Sequence, residues 1–196
     1  MLIRNSSLEF IGTLIIVTFS YSVIADLSFP ILQTLTLLVR AAAFDVLEPE
    51  LLKKLHDAIF KEVAETSDFV KVGSSVPLLI ALLSLQHIKH RCIESVLLLL
   101  KHPWPRIRSI TAQQLFEFVI AHNSFVDEDT KFEKLTEILS ITQWDGDSTA
   151  VDEGIAAVCQ LLDVAIPSKT LNSTIVDKVV ESEEFNYDAL VNEVGY

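Results

Sequence analysis

Four apolar segments with helical spacing recur along this chain, and their recurrence limits the fold more than any other feature. They are PILQTLTLLV (30–39), KVGSSVPLLIALL (71–83), RIRSITAQQLFEFV (106–119) and AVDEGIAAVCQLL (150–162). Their leading apolar residues, Ile31, Val72, Ile107 and Val151, stand 41, 35 and 44 residues apart. Each segment follows another apolar stretch, so the repeating unit reads as a pair of helices. Neither helix of such a pair buries its apolar face alone. Stacked neighbours are needed to close a continuous core.

The individual helices follow from their spacing and their stop signals. Residues 29–43 place apolar side chains at 31, 32, 35, 38, 39 and 42, the pattern of one helical face. Glu48-Pro49-Glu50 opens the next helix, with proline in the first turn and acids near the positive dipole end. Its face carries Leu51, Leu52, Leu55, Ile59 and Val63. Ser67-Asp68 is a capping signal for the following segment. Val76–Leu85 and Ile93–Leu100 are apolar nearly all round, as helices buried between neighbours are. His102-Pro103-Trp104-Pro105 stops one helix and starts another, which runs to about Ala121. Asp127–Ile141 is amphipathic, Asp145-Gly146-Asp147-Ser148 reads as a capped turn, and Ala150–Leu162 is the last long helix. No segment alternates with the period of a strand. The expectation is an all-α chain, a HEAT/armadillo-like α-solenoid of about four helix pairs, because paired helices repeating every 40–47 residues have that period.

Three regions are expected: an apolar helix in residues 1–27, a HEAT-like domain over 28–165, and an acidic, partly disordered tail over 166–196. Residues 8–25, LEFIGTLIIVTFSYSVIA, carry a single charge at Glu9. Two readings of this stretch stay open. One is a solenoid core helix. The other is a signal or membrane segment, preceded by Arg4, against which stand Glu9, the hydroxyls of Thr18, Ser20, Tyr21 and Ser22, and the lack of a cation after the stretch until Arg40.

Charge narrows the partners. The chain has 27 acidic and 15 basic residues, a formal net charge of −12. Phosphate recognition needs clustered Lys and Arg, so nucleic acid is not the expected main partner, and neither is an anionic membrane. With two cysteines a disulfide framework is out of reach.

The third unit, IESVLLLLKHPWPRIRSITAQQLFEFV, has a Leu-rich helix, a proline turn, Ile107-Arg108, then the small Ala112 and Leu115. That order resembles a HEAT repeat. Pro105, Ile107-Arg108, Thr111-Ala112-Gln113-Gln114 and Thr142-Gln143-Trp144-Asp145, with the upstream FPILQTLTLLVRAAAFDVL (29–47), more closely resemble the C-terminal region of the tubulin-folding cofactor D family. The resemblance spans about residues 28–164. It implies a non-catalytic chaperone that binds β-tubulin and other tubulin-folding cofactors during αβ-heterodimer assembly and supports GTP hydrolysis by tubulin. It further implies contact with an Arf-like small GTPase and a cytoplasmic, microtubule-associated location. Family members are several times longer, so the chain is expected to be a C-terminal piece or short isoform. A general HEAT adaptor for another client is the competing reading.

No nucleotide-binding or nucleophile-elbow motif occurs, so neither catalysis nor a bound cofactor is expected. His87, His90 and Cys92 lack a fourth ligand for a structural zinc site. The stronger lead is a basic stripe. Residues 87–108 hold Lys89, Arg91, Lys101, Arg106 and Arg108 against the single acid Glu94. On an acidic chain this is a candidate docking face for an acidic partner. The plain alternative is that Arg108 pairs with an acid of the next repeat and Lys89 solvates a face. Trp104, between two prolines, is either a rim anchor or a core staple.

Overall fold

The computed structural model describes residues 25–167 and Leu171, with side chains from Pro30 onward. The expectations for residues 1–24 and for most of the acidic tail lie outside the described residues. Those described form seven α-helices and no strand: α1 (Ala25–Arg40), α2 (Pro49–Glu65), α3 (Phe69–Ala81), α4 (Lys89–Leu100), α5 (Pro105–Ala121), α6 (Asp129–Ile141) and α7 (Ser148–Leu161).

Local chemistry explains most boundaries. Pro49 and Pro105 each occupy a first helical turn, where a missing N–H costs nothing. The Asp68 carboxylate accepts from the backbone N–H groups of Val70 and Lys71, capping α3. Asp147 stands at the corresponding position before α7 but makes no side-chain cap bond. The apolar run 76–85 does not stay α-helical throughout. It tightens into a 3₁₀ turn over Leu82–Ser84.

The core lies between stacked helices. Helix α3 packs on both α1 and α5, the helices that hold the preceding and following apolar segments of the sequence. Its residues Val72, Val76, Leu78 and Leu79 are all fully buried. A full burial of that kind stabilises by roughly 1.5–3 kcal/mol per large side chain. Ala112, expected to be small where helices approach, is buried on α5. Helices α2 and α4 are joined by polar side chains: His56 Nε2 lies 2.9 Å from Ser95 Oγ, and Arg91 Nε lies 2.8 Å from Asp57 Oδ1.

The last pair departs from this arrangement. Here the first helix, α6, packs on α5, and α7 packs on α6 and α4. The alignment of Val151 with Ile107 in sequence therefore does not put α7 against α5 as its principal neighbour. The turn between α6 and α7 is held instead. Trp144 is buried and its indole N–H donates to the Leu139 carbonyl at 3.0 Å. Gly154 lets α7 approach that turn, since a Cβ there would lie 2.9 Å from Thr142 Cγ2 and 3.2 Å from Trp144.

Candidate functional site

The six residues expected to face a partner divide into those tied down within the fold and those left exposed. Arg108 is the most heavily engaged. Its Nε donates to the Trp144 carbonyl at 2.7 Å and its Nη2 to the Gly146 carbonyl at 3.1 Å. Its Nη1 reaches the carbonyls of His102 and Pro103 at 3.1 and 3.2 Å. The expected acidic partner is replaced by four backbone oxygens, and the guanidinium fork suits such convergent acceptors. This side chain fastens the α4–α5 turn to the α6–α7 turn.

Lys89 and Arg91 are also engaged. The Lys89 ammonium donates to the Phe125 carbonyl at 2.9 Å and sits 4.4 Å over the Phe125 ring. Arg91 pairs with Asp57 through two nitrogens, at 2.8 and 3.0 Å. Trp104 is buried against the rings of Phe69 and His102, at 5.9 and 4.9 Å. It is a staple over the core, and its indole N–H has no hydrogen-bond partner among the described residues. What remains of the stripe is Lys101, half-buried, and Arg106, exposed with its guanidinium 5.3 Å over the Phe69 ring. Neither forms an ion pair among the described residues.

His102 was read from the sequence as part of the stop between two helices. It is 3% exposed, and its Nδ1 accepts the Trp104 backbone N–H at 3.1 Å. Burial, with Arg108 beside it, lowers its pKa to about 4. The imidazole is therefore neutral at pH 7 and adds no charge to a docking face.

Asp57, His56 and Ser95 went unremarked in the sequence. His56 Nδ1 lies 3.1 Å from Asp57 Oδ1 while its Nε2 meets Ser95 Oγ, so the groups stand in the order of a nucleophilic triad. Ser95 and His56 are 3% and 2% exposed, within the α2–α4 interface. Burial lowers the His56 pKa, despite the bond to Asp57. The arrangement serves as a polar link between two helices, with the serine oxygen walled off from any substrate. Its signal was readable: His56 lies four residues after Leu52 and three before Ile59, on the apolar face of α2.

The candidate metal residues do not converge. His87 and His90 are exposed, whereas Cys92 is fully buried and its thiol is pushed up to about 12 by burial. Among the described residues no group of three or more His, Cys, Asp or Glu side chains could hold a metal ion. Nor is any helix among them long and apolar enough to cross a membrane.

A cleft of about 520 Å³ opens at the other end of α5. The final residues of α1, α3 and α5, namely Arg40, Ala81 and Ala121, all line it. Its floor includes Val39, Ile80 and Phe118, and its polar groups include Asp45, Glu117 and His122.

No family model matches the sequence, and no solved structure matches it.

Proposed function

We propose that this chain is a non-catalytic binding module of the HEAT-like α-solenoid type. It belongs, on this reading, to a tubulin-folding cofactor that holds β-tubulin for assembly with its partner cofactors. The observation supporting the module is the packing of α3 on α1 and α5, helices whose leading residues Ile31, Val72 and Ile107 recur in sequence. An array of that kind gives side-by-side helices and an extended surface without chemistry of its own. The tubulin assignment rests on the sequence resemblance over residues 28–164. With Lys89, Arg91 and Arg108 engaged internally, the docking charge for an acidic client narrows to Lys101 and Arg106.

The test is analytical gel filtration of the purified chain with αβ-tubulin at low and high salt, beside a Lys101→Glu/Arg106→Glu variant. Expected is a salt-sensitive complex that the variant loses. A folded, monomeric chain that never co-elutes with tubulin sinks the tubulin assignment. Undiminished binding by the variant moves the contact elsewhere.

A further inference from the structure

The cleft at the C-terminal ends of α1, α3 and α5 differs from the basic stripe in sign and in freedom. Helices α1 and α5 end here, and their aligned peptide dipoles leave a partial negative charge, at most about half a unit, at each C-terminus, while α3 runs on into the 3₁₀ turn over Leu82–Ser84. Asp45 and Glu117 add two carboxylates. Gln113 and Gln114 donate to the two oxygens of Glu117, at 3.1 and 3.0 Å, which hold the group in place without neutralising it. Among the described residues, Asp45, Glu117 and Arg40 form no ion pair, although all three line the cleft. His122 donates through Nδ1 to the Phe118 carbonyl at 3.0 Å and stacks on the Phe118 ring. Its Nε2 makes no hydrogen bond among the described residues.

Exposed apolar side chains flank the lining residues in sequence. Six large hydrophobic residues are prominently exposed among the described residues, and three of them stand within one helical turn of a lining residue in sequence. Leu37 is one helical turn from Arg40, Val46 follows Asp45, and Ile120 is one turn from Glu117. Exposed apolar side chains next to unneutralised charge supply both kinds of group that a protein contact uses.

We infer that this cleft docks a basic segment of a partner protein, one that presents Lys or Arg to Asp45, Glu117 and the helix ends and lays aliphatic side chains on Leu37, Val46 and Ile120. Charge complementarity selects the occupant: two carboxylates and the negative ends of α1 and α5 outweigh the single cation Arg40. This site is independent of the tubulin assignment, and it would serve a module of either client.

The probe is a labelled amphipathic Lys/Leu peptide, followed by fluorescence anisotropy with the full chain, beside a Glu/Leu peptide of the same pattern. Asp45→Asn/Glu117→Gln removes the cleft charges. Glu133→Gln/Asp152→Asn removes two exposed acids on α6 and α7, without an ion pair among the described residues, as a control for net charge. Two partly exposed ion pairs amount to about a tenfold change in Kd. The cleft variant is expected to lose about that much, and the control less than about twofold. Ile120→Ser is expected to weaken binding as well, with an unchanged melting curve. Equal losses in the cleft and control variants would show attraction to net charge alone and overturn the site. So would preference for the Glu/Leu peptide, or no binding of the Lys/Leu peptide by the unaltered chain.

Discussion

The two ends of α5 hold similar numbers of polar side chains and use them in opposite ways. At the N-terminal end, Arg108 meets four carbonyls, His102 accepts a backbone N–H, and Trp104 closes the turn over Phe69. At the C-terminal end, Glu117 and Asp45 line an open cleft with no counter-ion among the described residues. A count of charges along the sequence rates the first end as the docking face. The partners of those charges reverse that ranking. A cation that satisfies four backbone carbonyls is part of the fold, whereas a carboxylate left beside exposed aliphatic groups is available to another molecule. The difference lies in what converges on each group in space.

The sharpest way to break this contrast is to remove the two kinds of charge and compare stabilities. Arg108→Met keeps much of the aliphatic volume and deletes all five N–H donors. It strands the carbonyls of Trp144 and Gly146 and unties the last helix pair. The expected loss is about 3 kcal/mol, read as a lower urea midpoint. Asp45→Asn/Glu117→Gln is expected to change stability by less than about 0.5 kcal/mol, because these are surface groups. If both variants lose equally, the two ends do not differ as described.

A smaller effect comes from pH, and its sign follows from burial. His102 titrates near 4 in the folded chain against about 6.5 when exposed. Between those values the unfolded chain binds the extra proton. Stability is therefore flat above about pH 6.5 and falls as pH drops toward 4, by at most about 1.4 kcal/mol per pH unit for this one group. His56, whose pKa is also lowered by burial, adds in the same direction. His102→Asn keeps an acceptor for the Trp104 N–H and removes the titration, so its urea midpoint should fall less steeply over that range. An unchanged slope would mean that other groups govern the acid limb.

Much of the helical layout was legible because its signals are local. Pro49, Pro105 and Asp68 mark helix starts whatever surrounds them. Apolar spacing told which face of each helix is buried, as in Leu52, Leu55, Ile59 and Val63 on α2. It did not tell which helix that face meets. Hence Val151 aligned with Ile107 in sequence while α7 went to α6 and α4. The partners of Arg108 were illegible for a related reason. Two are carbonyls 36 and 38 residues away, and a carbonyl leaves no trace in residue identity. The cleft was hidden likewise, since it exists only where three separate helices end together.

The finest probe of the comparison is a single backbone position at the open end. Helix α1 closes with Ala43 N–H on the Leu38 carbonyl at 3.0 Å and Ala42 N–H on the Val39 carbonyl at 2.9 Å. That pair of bonds is a Schellman closure, which places its penultimate residue in the left-handed region. The residue is Ala42, with φ 57°, where glycine is the usual occupant. An alanine there costs roughly 1–2 kcal/mol of backbone energy, offset in part by the smaller entropy of its unfolded chain. Ala42→Gly should therefore raise stability by about 0.5 kcal/mol. Ala42 lines the cleft and touches it with a single methyl group, so affinity for the Lys/Leu peptide should not change. A more stable chain with unaltered peptide affinity would separate the energetics of the helix end from the chemistry of the cleft. A parallel loss of affinity would mean that the conformation of this turn, and with it the position of Asp45, is what holds the carboxylate toward its partner.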